Sequence, residues 1–124
     1  MREIKEKAIL QIGNSNINIG FYDMEIASEF IKQFPLNLVL EQAMNREYCS
    51  DALPFVPVCK EHNQTFFEVG DLAYWKKGNA FAFFYAEGIS QEVPSGIVVL
   101  GKILSDLSIF RDMPASIKII LKKQ

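Results

Sequence analysis

The sequence predicts a mainly β protein, a closed antiparallel barrel of about eight short strands with a short helix plugging each mouth. Three observations carry that expectation. Short apolar or alternating segments recur along the chain, separated by turn residues. Only two segments show the apolar spacing of a helix, one in the first third and one near the end. The stretch from Gly70 to Tyr85 reads as two strands joined by the basic turn Lys76-Lys77-Gly78-Asn79, and it holds the only Trp, two of the four Tyr and three of the ten Phe. So many strands in 124 residues avoid exposed edges most simply by closing on themselves.

In chain order, Ala8 to Ile12 is a short apolar strand and Gly13-Asn14-Ser15 a turn. Residues 16–21 alternate polar and apolar strictly, as a half-buried strand does, and complete a first hairpin. Asp23 is placed to cap a helix, with Glu25 favourably placed in its first turn. Ala27, Phe30, Ile31 and Phe34 form one apolar stripe, which predicts a helix over residues 24–33. Pro35 ends it, because the residue before a proline is driven out of the helical region. Leu36 to Leu40 is the next strand.

Residues 44–59 read as largely irregular: Arg46 and Tyr48 suit a strand edge, while Pro54 and Pro57 bracket Phe55-Val56 as extended chain. Residues 60–64 are a polar loop, and Phe66-Phe67 leads into the central hairpin. There the strand period of two puts Phe81, Phe83 and Tyr85 on one face and Ala80, Ala82 and Phe84 on the other. The large set is expected inside the barrel. A loop spans Glu87 to Ser95. The β-branched run from Gly96 to Ile103 is too continuous for a one-sided strand and should be buried on both faces. Ser105 is expected to cap a second helix over residues 106–113, burying Leu107 and Phe110 and stopping at Pro114. Ile117, Ile119 and Leu121 alternate as a last strand. No repeat or linker divides the chain, so residues 1–124 read as one domain.

Composition narrows the function classes. Hydrophobic residues make up 49% and charged residues 23%, which excludes disorder. A net charge of −2 leaves no electrostatic footprint for nucleic acid, so no nucleic-acid partner is expected. The charged N-terminal stretch has no apolar signal core, and no apolar run reaches the length of a membrane span, so a cytoplasmic protein with no membrane partner is expected. Cys49 and Cys59 lack metal-ligand spacing and read as two reduced thiols. His62 is the only histidine and lies in a polar loop, which disfavours a hydrolase or a metal enzyme and suggests no cofactor.

Two blocks are more specific. Residues 70–85, G-D-L-A-Y-W-x-x-G-N-A-F-A-F-F-Y, and residues 95–103, S-G-I-V-V-L-G-K-I, resemble the small bacterial cyclophilin-like proteins, with a looser match from about Phe34 to the C-terminus. The resemblance implies a cyclophilin-type barrel of eight antiparallel strands with two capping helices. It implies no established activity.

True cyclophilins are prolyl isomerases, which aim a guanidinium at the prolyl nitrogen above an apolar pocket. Against their F-H-R-x-x-x-x-F-x-x-Q pattern, Arg46 is followed by Asp51 at the pocket phenylalanine and by Pro54 at the glutamine. Against W-L-D-G-K-H-V-V-F-G-K-V, Glu92 stands at the pocket tryptophan and Ile97 at the histidine. Against N-G-S-Q-F-F, Ala80 takes the glutamine position and Ala82 a pocket phenylalanine. The resemblance therefore implies a kept barrel and a lost isomerase site. The reading that follows is a non-catalytic binding module whose groove is floored by Ala80 and Ala82 and edged by Trp75, Arg46, Tyr48 and Glu92, taking a small molecule or a peptide segment. Against it stand two plain alternatives: Trp75 merely covers the barrel, or Arg46 pairs at the surface with Glu47 or Glu92. An isomerase rebuilt around Arg46 and a purely structural, self-associating protein are the other two functions weighed.

Overall fold

In the computed structural model, which describes residues 2–124, nine strands and one α-helix follow each other along the chain. They are β1 (Ile4–Ile12), β2 (Ser15–Tyr22), α1 (Glu25–Lys32), β3 (Leu36–Ala43), β4 (Glu47–Ser50), β5 (Gln64–Phe66), β6 (Asp71–Trp75), β7 (Ala80–Phe84), β8 (Glu92–Ile103) and β9 (Ser116–Lys123). Eight of them close in the order β2-β1-β9-β3-β4-β7-β6-β8 and back to β2, every pairing antiparallel. The expected barrel is therefore present. Among the described residues, no helix is long and apolar enough to cross a membrane.

Closure rests on a short seam between β2 and β8, with Ile19, Gly20 and Phe21 opposite Ile103, Lys102 and Gly101. Glycine is required there. A Cβ on Gly101 would overlap the carbonyl oxygen of Gly20 and stand 2.9 Å from Phe21 Cα. The N-terminal half of β8 leaves the barrel wall and pairs instead with β5, Gln64 opposite Ile97 and Phe66 opposite Glu92. This strand thus serves two layers.

Both faces of the wall are consequently buried. Inside, Phe81 and Phe83 join Leu10, Ile19, Leu40, Leu100, Ile119 and Leu121 in one continuous core. Outside, Ala73, Phe84, Ile97 and Val99 pack under Phe67 and Val93 as a second, smaller core. The expected facing of the central hairpin holds, and Ile97, Val98, Val99 and Leu100 are buried on alternate sides as the continuous run predicted. Phe84, however, is not open to solvent: it stacks on Phe67 with ring centroids 3.9 Å apart. The two barrel ends are plugged by aromatic contacts. Phe30 of α1 meets Tyr74 and Phe81 at about 6.0 Å, and Phe110 meets Phe83 at 4.8 Å.

Several expectations are corrected. The second helix is only a 3-10 turn, Leu107–Phe110. Its two apolar residues are three positions apart, a spacing that one tight turn already satisfies before Pro114. Asp106 caps it, accepting from Ser108 N at 2.9 Å, while Ser105 Oγ accepts from Asn18 N across the barrel end. At α1 the cap position is Met24, with no side-chain cap bond, so Asp23 does not cap. Segments read as irregular or polar supply β4, β5 and the start of β8, and β4 is a full stave between β3 and β7 rather than an edge. Cys49 and Cys59 are free thiols, and His62 lies exposed in a loop.

Two substitutions test this architecture. Gly101→Ala drives a methyl into backbone that cannot rotate away, so it should cost about 3 kcal/mol or more, the upper range of overpacking. Phe83→Ala empties the centre of the interior row and should cost about 3–5 kcal/mol, while Ala82→Ser on the outer face should be nearly silent. Urea unfolding midpoints check both; a Phe83→Ala midpoint unmoved beside a collapsed Ala82→Ser would reverse the facing.

Candidate functional site

The outer face of β4 and β7 is only partly roofed by the β8 flap, and the uncovered part is a groove of about 350 Å³. Its floor includes Cys49, Ala82 and Phe84, and its walls include Trp75, Pro94 and Ile97. Trp75 leaves β6 at the barrel rim and is held on two sides. Its Nε1 donates to Ser95 Oγ at 2.8 Å, and its ring lies on Gly78, where any Cβ would collide with it.

One end of the groove is the turn between β3 and β4. Arg46 N donates to Ala43 O at 3.2 Å, and the two central residues, Met44 and Asn45, have φ of 56° and 51°. Paired left-handed residues match the twist of a hairpin. Asn tolerates the conformation, whereas Met is a strained choice. Met44 is also 66% exposed at the groove rim.

Arg46 follows and disappears from the surface, 4% exposed. Its Nε donates to Glu47 Oε1 at 2.8 Å, and its Nη1 donates to the carbonyls of Ser90 at 2.7 Å and Glu92 at 2.9 Å. Its guanidinium carbon lies 5.1 Å from the ring centre of Phe67 and 5.9 Å from that of Phe84. The loop closes over its stem at Gly88, whose φ is +61° and where a Cβ would stand 3.0 Å from Arg46 Cβ. A buried charge has to be paired and hydrogen-bonded, and this one clamps the flap to the barrel.

Of the six residues expected at the site, Arg46, Trp75, Ala82 and Glu92 line this groove. Ala80 sits opposite Trp75 in the ladder but is buried and lines no part of it. Tyr48 points the other way, into the barrel, stacked on Phe83 at 5.5 Å with its hydroxyl donating to Pro114 O at 2.8 Å. Glu47 was anticipated as a partner of Arg46 at the surface, and the pair forms, but with Arg46 buried; Ile97 was anticipated only at the histidine position of the isomerase pattern, and Met44 and Cys49 not at all. Met44 and Cys49 carry no local signal. The Cys49 thiol is pushed up to about 11, by burial first and then by Glu47 and Asp51, so it stays protonated at neutral pH and is no ready nucleophile. No three His, Cys, Asp or Glu side chains among the described residues are grouped to hold a metal.

A second cleft, of about 710 Å³, opens on another part of the surface, beside Asp71 and Lys102. Asp71 is 8% exposed, its Oδ2 accepting from Glu68 N at 2.9 Å. Burial pushes its carboxyl up to about 6, against the bond from Glu68 N and the nearby charges of Arg2 and Lys102, which favour ionisation.

Compared with known proteins, residues 10–122 match the model of the Cyclophilin-like family. The solution structure of a hypothetical protein from Archaeoglobus fulgidus superposes with a TM-score of 0.79, covering 99% of this chain and 98% of that one at 15% sequence identity, a likeness of fold. No curated protein matches.

The Asp71 shift fixes the sign of a pH effect. Its folded pKa lies above the ordinary 3.8, so the folded state holds this proton more tightly than the unfolded chain does. Stability from that group is whole below about pH 4 and is lost as pH rises through about 6. Relative to Asp71→Asn, the natural protein should lose about 1–3 kcal/mol between pH 4.5 and 7.5, at 1.36 kcal/mol per pKa unit. Urea melts of both proteins at the two pH values measure it; a difference that stays constant contradicts the shift.

Proposed function

Because this chain belongs to the cyclophilin-like family, we propose that it is a non-catalytic binding module that takes an extended apolar peptide segment in the groove beside Trp75. The observation that carries this reading is the placement of Arg46. An isomerase needs a guanidinium free to donate to the prolyl nitrogen, where hydrogen bonding weakens the amide resonance behind a barrier of about 18–20 kcal/mol. Arg46 instead holds Glu47 and two backbone carbonyls beneath the flap.

The same placement selects the ligand. With Arg46 neutralised by Glu47 at 2.8 Å, the remaining charge at the groove is that of exposed Glu92, which opposes a small anion. The surfaces left for contact are apolar: the Trp75 ring, Phe84, Ile97, Pro94 and the adaptable thioether of Met44. The floor at Ala82 is shallow, so the groove suits side chains laid along it better than a ring inserted deeply.

Trp75 is the only tryptophan, so its fluorescence reports on this wall alone. Titration with the acetylated, amidated peptide Ala-Leu-Pro-Ala should give a saturable change, weakened about tenfold, or about 1.4 kcal/mol, by Ala82→Leu in protein whose melting temperature shows it folded. Isomerisation of the same peptide should run at the uncatalysed rate. A rate enhancement that vanishes in Arg46→Ala would revive the rebuilt isomerase, and an unresponsive Trp75 would remove the groove as a peptide site.

A further inference from the structure

We propose that the cleft beside Asp71 and Lys102 binds a free α-amino acid with an apolar side chain, a site independent of the groove at Trp75. Four charged side chains line this one cavity of about 710 Å³: Arg2, Glu68, Asp71 and Lys102. They are two cations and two anions, and none forms an ion pair within 4 Å, all the ion pairs among the described residues lying elsewhere. Asp71 and Lys102 are even direct register partners across β6 and β8. Asp71 is buried and Arg2, Glu68 and Lys102 are exposed, so both signs are left open side by side.

Each end of a zwitterion has a built partner. Asp71 is more than nine-tenths buried and uses Oδ2 to accept from Glu68 N, while no described residue bonds to Oδ1. Oδ1 is not sealed in the interior either, so it faces the cleft that Asp71 lines. An ammonium there replaces the missing countercharge, with Glu68 beside it. For the carboxylate, Lys102 carries a free ammonium group. Arg2 is anchored by Nη1 donating to Val99 O at 3.0 Å and by lying 5.4 Å over the Tyr22 ring, which leaves its other nitrogens to donate. The third arm of an amino acid meets apolar surface: Phe66 is 55% and Val69 38% exposed at the cleft, with Leu107 between the walls. A cleft balanced in charge disfavours a dicarboxylate or a diamine and favours a ligand that carries one charge of each sign on one carbon. The buried, unpaired carboxylate works against stability in the empty protein, which is the signature of a group kept for binding rather than for folding.

The test is a nuclear magnetic resonance titration of the whole chain at pH 7 with L-leucine. Two analogues each lack one charge: L-leucinamide has no carboxylate, and 4-methylpentanoate has no ammonium. Amide signals around Asp71, Lys102 and Leu107 should shift saturably with leucine, and either analogue should bind about tenfold more weakly or worse. Asp71→Asn and Lys102→Gln should each weaken leucine about tenfold while keeping the dispersed spectrum of a folded barrel. If Asp71→Asn fails to fold, Lys102→Gln, an exposed residue without a partner, decides alone. Affinity should also fall from pH 7 to pH 5 as Asp71 takes up its proton; the charged and titratable groups around it are Arg2, Glu68, Lys102 and Tyr22, whose hydroxyl is pushed up from its ordinary value by burial first. Absence of shifts with leucine, equal binding of either analogue, or full binding in the variants would overturn the proposal. The groove at Trp75 is unaffected by any of these outcomes.

Discussion

The barrel depends on a close backbone approach at Gly101. Eight strands of this length close only if the first hairpin meets β8, and the meeting involves just three register pairs. At that seam the chain of β8 runs so near the Gly20 carbonyl that no side-chain carbon fits on Gly101. A bulge between Leu72 and Ala73 shifts the register of β6 on β8 just beside it. β8 stays on the wall past this bulge as far as Val98, opposite Tyr74, and from Ile97 back to Glu92 it pairs with β5 instead. Without closure there is no single interior for Phe21, Phe81 and Phe83 to share, and no flap for the outer layer.

The outer layer in turn explains the groove. A barrel wall with aromatic residues on both faces must cover the second face or expose it to water. Phe67 and Val93 cover most of it, and Arg46 ties the cover down from the β3–β4 turn. The cover stops short beside Trp75, which leaves an apolar strip over Ala82. Arginine is suited to this clamp because its planar head can stack on two phenylalanines while donating in several directions. A role as clamp and a role as catalytic donor compete for the same N–H groups.

Two places where a local rule is broken lie at cavities. Met44 holds a left-handed conformation that its side chain disfavours, at the rim of the apolar groove. Asp71 buries a carboxylate without a countercharge, in the charged cleft. Local preference and tertiary structure agree in the period-two strands of the core and at the helix stopped by proline, and part again at the α1 cap, the shortened second helix and the buried Glu61 Oε1, unpartnered among the described residues.

The amino-acid sequence by itself determined the facing of β7, the burial of β8 on both sides, the helix ended at Pro35 and the barrel class, because each is written in a period or a punctuation mark a few residues long. It also placed Arg46, Trp75, Ala82 and Glu92 at one groove, through matched blocks rather than through any local pattern. Only the tertiary structure decided the rest. β4 and β5 are three or four residues long and exist because β7 and β8 offer them ladders from far along the chain. The second helix became a single turn because Phe110 needed only to reach Phe83. Tyr48 turned inward, Arg46 was buried against the backbone carbonyls of Ser90 and Glu92 more than forty residues away, and Asp71 met Lys102 only across paired strands. Side-chain charge is legible in a sequence; its burial is not, because that depends on which distant segments the closed sheet brings over it.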